Sequence, residues 1–151
     1  MRRAAGFTLI ELVIVIVVLG ILAALAVPRF ISLQREARIA VIDSLFNSVR
    51  SGSNIVYAKS AAAGLSDLPA STVDIDGPVP GGTINTVFGY PRAAEVDMRL
   101  LFDNLSPRYG FVTAGTGIRM DVDGIVACSV TYTAPTGAGL PPTIVRNITN
   151  C

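Results

Sequence analysis

Leu12-Val-Ile-Val-Ile-Val-Val-Leu-Gly-Ile-Leu-Ala-Ala-Leu-Ala-Val27 is a run of sixteen residues without a polar side chain. Extended back to Phe7 it becomes twenty-one residues, broken only by Thr8 and Glu11. A helix of that length rises ~32 Å, enough for a hydrocarbon core of about 30 Å. Its twelve Leu, Ile and Val residues contribute about −4 to −7 kcal/mol to insertion. A mid-membrane acid costs ~3 kcal/mol, and Glu11 lies near one end, where the penalty is smaller. Insertion is favoured. Upstream stand only Met1-Arg2-Arg3-Ala4-Ala5-Gly6. The two arginines hold that end on the cytoplasmic side, which places the rest of the chain outside. A cleavable secretory signal is the competing reading, with Ala24-Leu25-Ala26 as its processing triplet and a soluble exported domain released after Ala26. Against it, the apolar run exceeds the usual signal core and contains a carboxylate.

The rest of the composition excludes more than it proposes. The 151 residues contain no His, which removes the Ser-His-Asp triad, the Cys-His pair and every His-ligated metal. Twelve basic residues face eleven acidic ones, so no nucleic-acid partner is expected from bulk charge. Cys128 and Cys151 could form one bridge but not a zinc cage. No enzyme, cofactor or metal is expected.

Beyond Val27, Pro28 kinks a helix without having to end it. Phe30, Leu33, Ala37, Val41, Leu45, Val49, Gly52 and Val56 recur at three- and four-residue steps, the apolar stripe of a continuing helix. One helix from about Phe7 to about Ala62 is expected, roughly 80 Å long, with Gly64 as its stop. Gly64 to Pro91 reads as a turn-rich connection with a short strand near Ile84 to Phe88. Pro91 is expected to open a short helix that aligns Ala94, Met98, Leu101, Phe102 and Leu105. Strands follow at Tyr109 to Thr113, Ile118 to Val122, Ile125 to Thr133 and Thr143 to Thr149, with Asp123-Gly124 as a type I′ hairpin turn. The fold class is α+β: a long N-terminal helix, hydrophobic first and amphipathic after, packed on a small antiparallel sheet. Its divisions are residues 1–6 as a short basic start, 7–28 as the apolar, membrane-length helix, 29–63 as amphipathic helix and 64–151 as head.

Gly6-Phe7-Thr8-Leu9-Ile10-Glu11-Leu12, after a short basic leader and before a long apolar run, resembles the signature of type IV prepilins and type II secretion pseudopilins. The resemblance implies a prepilin peptidase that cuts between Gly6 and Phe7 and N-methylates the new amino group of Phe7. Gly20 and Pro28 match the family's helix-weakening positions. A structural subunit is then expected: held in the bacterial inner membrane before assembly, then polymerised with copies of itself by the pilus assembly machinery into an extracellular filament for surface attachment. A pseudopilin of the secretion machine is the alternative. The head, through Phe88-Gly89-Tyr90-Pro91, Asp74-Ile75-Asp76-Gly77 and Cys128-Ser129-Val130-Thr131-Tyr132, is similar to the mannose-sensitive haemagglutinin type of major pilin.

Cleavage would remove Arg2 and Arg3 and expose a cationic amine at Phe7. In a bundle of such helices a buried Glu11 is costly alone but tolerable beside that cation from a neighbour. Burial supplies the cohesion and the Glu11–Phe7 pair sets the stagger. Otherwise Glu11 snorkels at the membrane edge. A Cys128–Cys151 bridge would enclose twenty-two residues and contribute about 3 kcal/mol in the chain-entropy model. The resemblance makes it the disulfide-bounded surface loop of pilins, with two unpaired thiols as the alternative; major pseudopilins usually lack such a bridge. Asp74-x-Asp76-Gly77 and Asp121-x-Asp123-Gly124 invite calcium, but Asp before Gly is first a turn. Asn104-Leu105-Ser106 and Asn147-Ile148-Thr149 fit the permissive glycosylation sequon.

Overall fold

The computed structural model describes residues 7–75, 82–102 and 109–151. Its order is α1 (Leu9–Ala62), β1 (Ser71–Asp74), β2 (Thr83–Val87), β3 (Tyr90–Pro91), α2 (Glu95–Arg99), β4 (Tyr109–Ala114), β5 (Gly117–Val122), β6 (Ile125–Thr133) and β7 (Thr143–Asn147). The chain divides into two units, Met1–Ala37 and Arg38–Cys151.

In the first unit the helix has no core to face. All twelve Leu, Ile and Val residues between Leu12 and Val27 are 42–67% exposed, on every side. Phe30 and Leu33, expected on the inward stripe, are also exposed.

The second unit holds the core. Ile42, Leu45 and Val49 of α1 pack with Met98 and with Ile118, Met120, Val122, Cys128, Val130 and Tyr132 of the larger sheet. The buried helical line is Ile42, Leu45, Val49, Ser53, Val56 and Ser60. This corrects the expected stripe: Val41 and Gly52 lie on its flank, partly exposed, and two serines complete the inward face. Apolar periodicity misses them because serine is polar; Ser53 turns its hydroxyl back onto the Arg50 carbonyl of its own helix (3.0 Å). The stop at Gly64 is a Schellman motif. Gly64 takes φ +69°, its N–H donates to the Ala61 carbonyl (3.0 Å), and the Leu65 N–H donates to the Ser60 carbonyl (2.8 Å).

β4–β7 form one antiparallel sheet in sequence order, and β1–β3 form a second. Asp123 (φ 53°) and Gly124 (φ 73°) make the expected I′ turn between β5 and β6. Phe88 (φ 48°) and Gly89 (φ 82°) make another between β2 and β3, where Phe is a rare occupant. Pro91 does not open α2. It ends β3 on an edge strand, where its missing N–H costs no ladder bond. Five residues of helix begin only at Glu95, with no side-chain cap at Ala94. Buried Asp97 ties that helix to β2, accepting from the Asn85 N–H (2.9 Å), Asn85 Nδ2 (2.8 Å) and Arg92 Nε (2.9 Å). Of the face predicted for this helix, Met98 is buried and Leu101 and Phe102 partly so; Leu105 and the Asn104 sequon lie outside the described residues.

Tyr132 joins the two sheets, its hydroxyl donating to the Pro91 carbonyl (2.8 Å) from a fully buried ring. Burial, and next the nearby Tyr90, raises its pKa well above the ordinary value of 10.0. A raised tyrosine gives stability that is complete below the unfolded pKa of about 10 and is lost as pH climbs toward the folded value. Melting of the detergent-solubilised chain should therefore fall steeply above about pH 10. Tyr132→Phe should flatten that alkaline limb while costing ~1 kcal/mol at neutral pH for the lost hydrogen bond.

Candidate functional site

Phe7 precedes the helix and is 86% exposed; Gly6 lies outside the described residues. At the helix start Thr8 and Glu11 close on each other. The Thr8 N–H (2.9 Å) and hydroxyl (2.8 Å) both donate to Glu11 Oε2, and the Glu11 N–H donates to Thr8 Oγ1 (3.3 Å). This is a capping box, and its signal, Thr8-x-x-Glu11 before an apolar run, is legible in the sequence but goes unread while Glu11 is weighed only against the membrane and a neighbouring copy. The box fixes the carboxylate at the positive end of the helix dipole, on the N–H of Thr8, one residue after the Phe7 nitrogen that cleavage after Gly6 would turn into an amine.

From there Leu9–Val27 forms a helix long and apolar enough to cross a membrane. Burying its twelve large side chains would release ~18–36 kcal/mol at 1.5–3 kcal/mol each, far more than one paired carboxylate costs. Gly20 lies within it, and a methyl group added there meets nothing within 4 Å. The helix continues through Pro28.

At the opposite end of the sequence Cys128 and Cys151 are joined, with Cα atoms 4.8 Å apart and both residues buried in the core. No free cysteine remains. Arg38 secures this closure, donating from Nη1 to the Cys151 carbonyl (3.2 Å) and lying 3.9 Å from Asp123. Cys128→Ser with Cys151→Ser should lower head stability by about 3 kcal/mol and admit protease to the 134–142 loop, read by melting and limited proteolysis.

Of the two Asp-x-Asp pairs, the second is met by the protein's own arginines. Asp121 takes a bidentate pair from Arg119 (2.6 and 3.0 Å), which raises the Arg119 pKa, and Asp123 faces Arg38. Lys59 Nζ donates to the carbonyls of Asp74 and Ile75; Asp76 lies outside the described residues. Among the described residues no cluster of three or more potential ligands could hold a metal. Asn147 is turned on itself, its Oδ1 accepting from the Thr149 N–H (3.1 Å) and hydroxyl (2.8 Å).

Residues 1–27 match the family described as the prokaryotic N-terminal methylation motif. Over 49 residues the chain is 59% identical to the type IV narrow pilus major component PilA5 of Thermus thermophilus, covering 32% of this chain and 42% of that one. It is 52% identical over 40 residues to type II secretion system core protein G of Pseudomonas aeruginosa, covering 26% and 28%. Over 36 residues it is 56% identical to the type IV major pilin protein PilA of Myxococcus xanthus, covering 24% and 16%. The chain thus spans less than half the length of these curated relatives. No solved structure matches. The narrower likeness of the head to the mannose-sensitive haemagglutinin type has no counterpart among these relatives.

Proposed function

We propose that this protein, whose N-terminal segment matches the prokaryotic N-terminal methylation motif and is similar to type IV pilins, is a structural, non-catalytic subunit of a bacterial type IV pilus. The carrying observation is a helix apolar on every face and bare along Leu9–Val27, within the segment that matches the methylation motif. Such a helix needs an apolar surround: lipid before assembly, copies of itself after. Prepilin peptidase cleaves after Gly6 and methylates Phe7 at the cytoplasmic face of the inner membrane. The pilus machinery then moves the subunit into an extracellular adhesive filament. In the bundle Glu11 pairs with the Phe7 amine of a neighbour and sets the stagger, while Gly20 and Pro28 are where the helix loosens on assembly.

The match to secretion core protein G supports a second reading, a periplasmic pseudopilin, and the disulfide-closed loop weighs toward the pilus. Surface appendages sheared from cells with and without this chain test the proposal. Fibres made mainly of the protein, beginning at methylated Phe7, are expected. Secretion loss without fibres would favour the pseudopilin, and a mature protein beginning at Val27 would refute both.

A further inference from the structure

Within Arg38–Cys151 the described charges are matched almost to the last. Arg38 faces Asp123, Arg146 pairs with Asp43, Arg92 with Asp97, Arg99 with Glu95 and Arg119 with Asp121. Lys59 is taken up by two backbone carbonyls, and Asp74 is engaged as well. Among the described residues of this unit, two charged side chains are left over: Arg50 and Asp67. They are opposite in sign, both exposed, and do not pair with each other within one copy.

Their surroundings match too. Arg50 borders a recess of about 370 Å³ with Phe46, Ser53, Asn54, Pro141, Pro142 and Ile144. One wall is apolar and stiffened by two prolines, with the guanidinium beside it. Asp67 adjoins Leu68, which is 43% exposed. That tip is held in shape by the Gly64 motif, by the Leu68 N–H on the Leu65 carbonyl (3.3 Å) and by the Phe88 N–H on the Leu68 carbonyl (2.8 Å). A rigid acid-plus-leucine tip and a preformed arginine-plus-apolar recess lose little entropy on meeting.

We propose that in the polymer the Asp67–Leu68 tip of one copy docks in the Arg50 recess of a second copy, carboxylate on guanidinium and leucine against the apolar wall. The two patches are different surfaces of one head. Their contact is therefore heterologous, and it propagates from copy to copy as an open helix requires. The inference rests on the pilus reading and adds to it a contact between heads.

Charge reversal in the full-length chain, expressed in fibre-forming cells, tests it. Arg50→Glu and Asp67→Arg should each cut sheared fibre about 10-fold or more, and the double reversal should recover to within about threefold of the parent. Both positions are exposed, so the disulfide and the melting temperature should not change. Independently, Arg50→Cys with Asp67→Cys, treated with a short bis-maleimide on intact fibres, should give a ladder of linked subunits. Fibres without a ladder, or parental fibre yield from both single reversals, would overturn the docking. Absence of fibres from the parent chain would instead overturn the pilus reading, and the docking with it.

Discussion

Replacing Glu11 with Ala is expected to leave the subunit in the membrane and to strip fibres from the cell. Removing one acid from the end of a segment that favours insertion by several kcal/mol can only strengthen insertion. Assembly is different. Hydrophobic cohesion along Leu12 to Val27 is nearly indifferent to sliding, because every face is greasy. If Glu11 pairs with a neighbour's Phe7 amine as proposed, removing the carboxylate leaves that buried amine alone, and breaking a buried pair costs about 3–5 kcal/mol. Per subunit that raises the concentration needed for growth on the order of 10²–10⁴-fold. The capping box offers a rival explanation, loss of helix entry, and Glu11→Gln separates the two. Glutamine can still close the box on Thr8 but carries no charge. Glu11→Gln should therefore fail as Glu11→Ala does, with membrane fractionation normal and the sheared fraction empty. Normal fibres from Glu11→Gln would reduce Glu11 to a helix cap.

The second large effect lies in the head. Gly89→Ala should destabilise it by ~2–5 kcal/mol, a large part of the 5–15 kcal/mol of an ordinary domain. At φ +82° any Cβ is strained, and this one would lie 2.9 Å from the Tyr57 ring and 3.0 Å from the Ser66 Cα. Tyr57 cannot yield freely, since it stacks on Tyr90 at 4.4 Å between ring centres. Gly124 supplies the control. Its φ is +73° but nothing lies within 4 Å of an added methyl, so Gly124→Ala should cost only the backbone strain, ~1–2 kcal/mol. Calorimetry of the two solubilised variants gives the comparison, and equal melting temperatures would refute the packing half of the explanation.

The contrast between these turns shows what was readable. Asp123-Gly124 announces an I′ hairpin because both residues tolerate positive φ. Phe88-Gly89 makes the same turn but does not announce it, because Phe is held there by contacts distant in sequence, including the Phe88 N–H on the Leu68 carbonyl. Pro91 suited a helix start equally well, and only the edge position of β3 decided otherwise. β1 went unread because Ser71-Thr-Val-Asp74 is too short and polar to stand out from the loop around it. The larger sheet was legible, strand by strand, since its alternating apolar residues have one core to face; only the end of β7 fell short, at Asn147 rather than Thr149. At the N-terminus the apolar run and the motif were plain, while the Thr8–Glu11 closure required seeing one residue in two roles. The unmatched Arg50 and Asp67 could not be found from sequence at all. They emerge only after the other described charges of Arg38–Cys151 have been assigned partners in three dimensions.

Electron cryomicroscopy of purified fibres tests the core of the proposal most directly. Polymerisation through the apolar helix predicts density for residues 12–27 at the fibre axis, ringed by the same segment of neighbouring copies, with Glu11 of one copy against the Phe7 amine of another. Fibres whose subunits lack those residues, or turn them toward water, would contradict it.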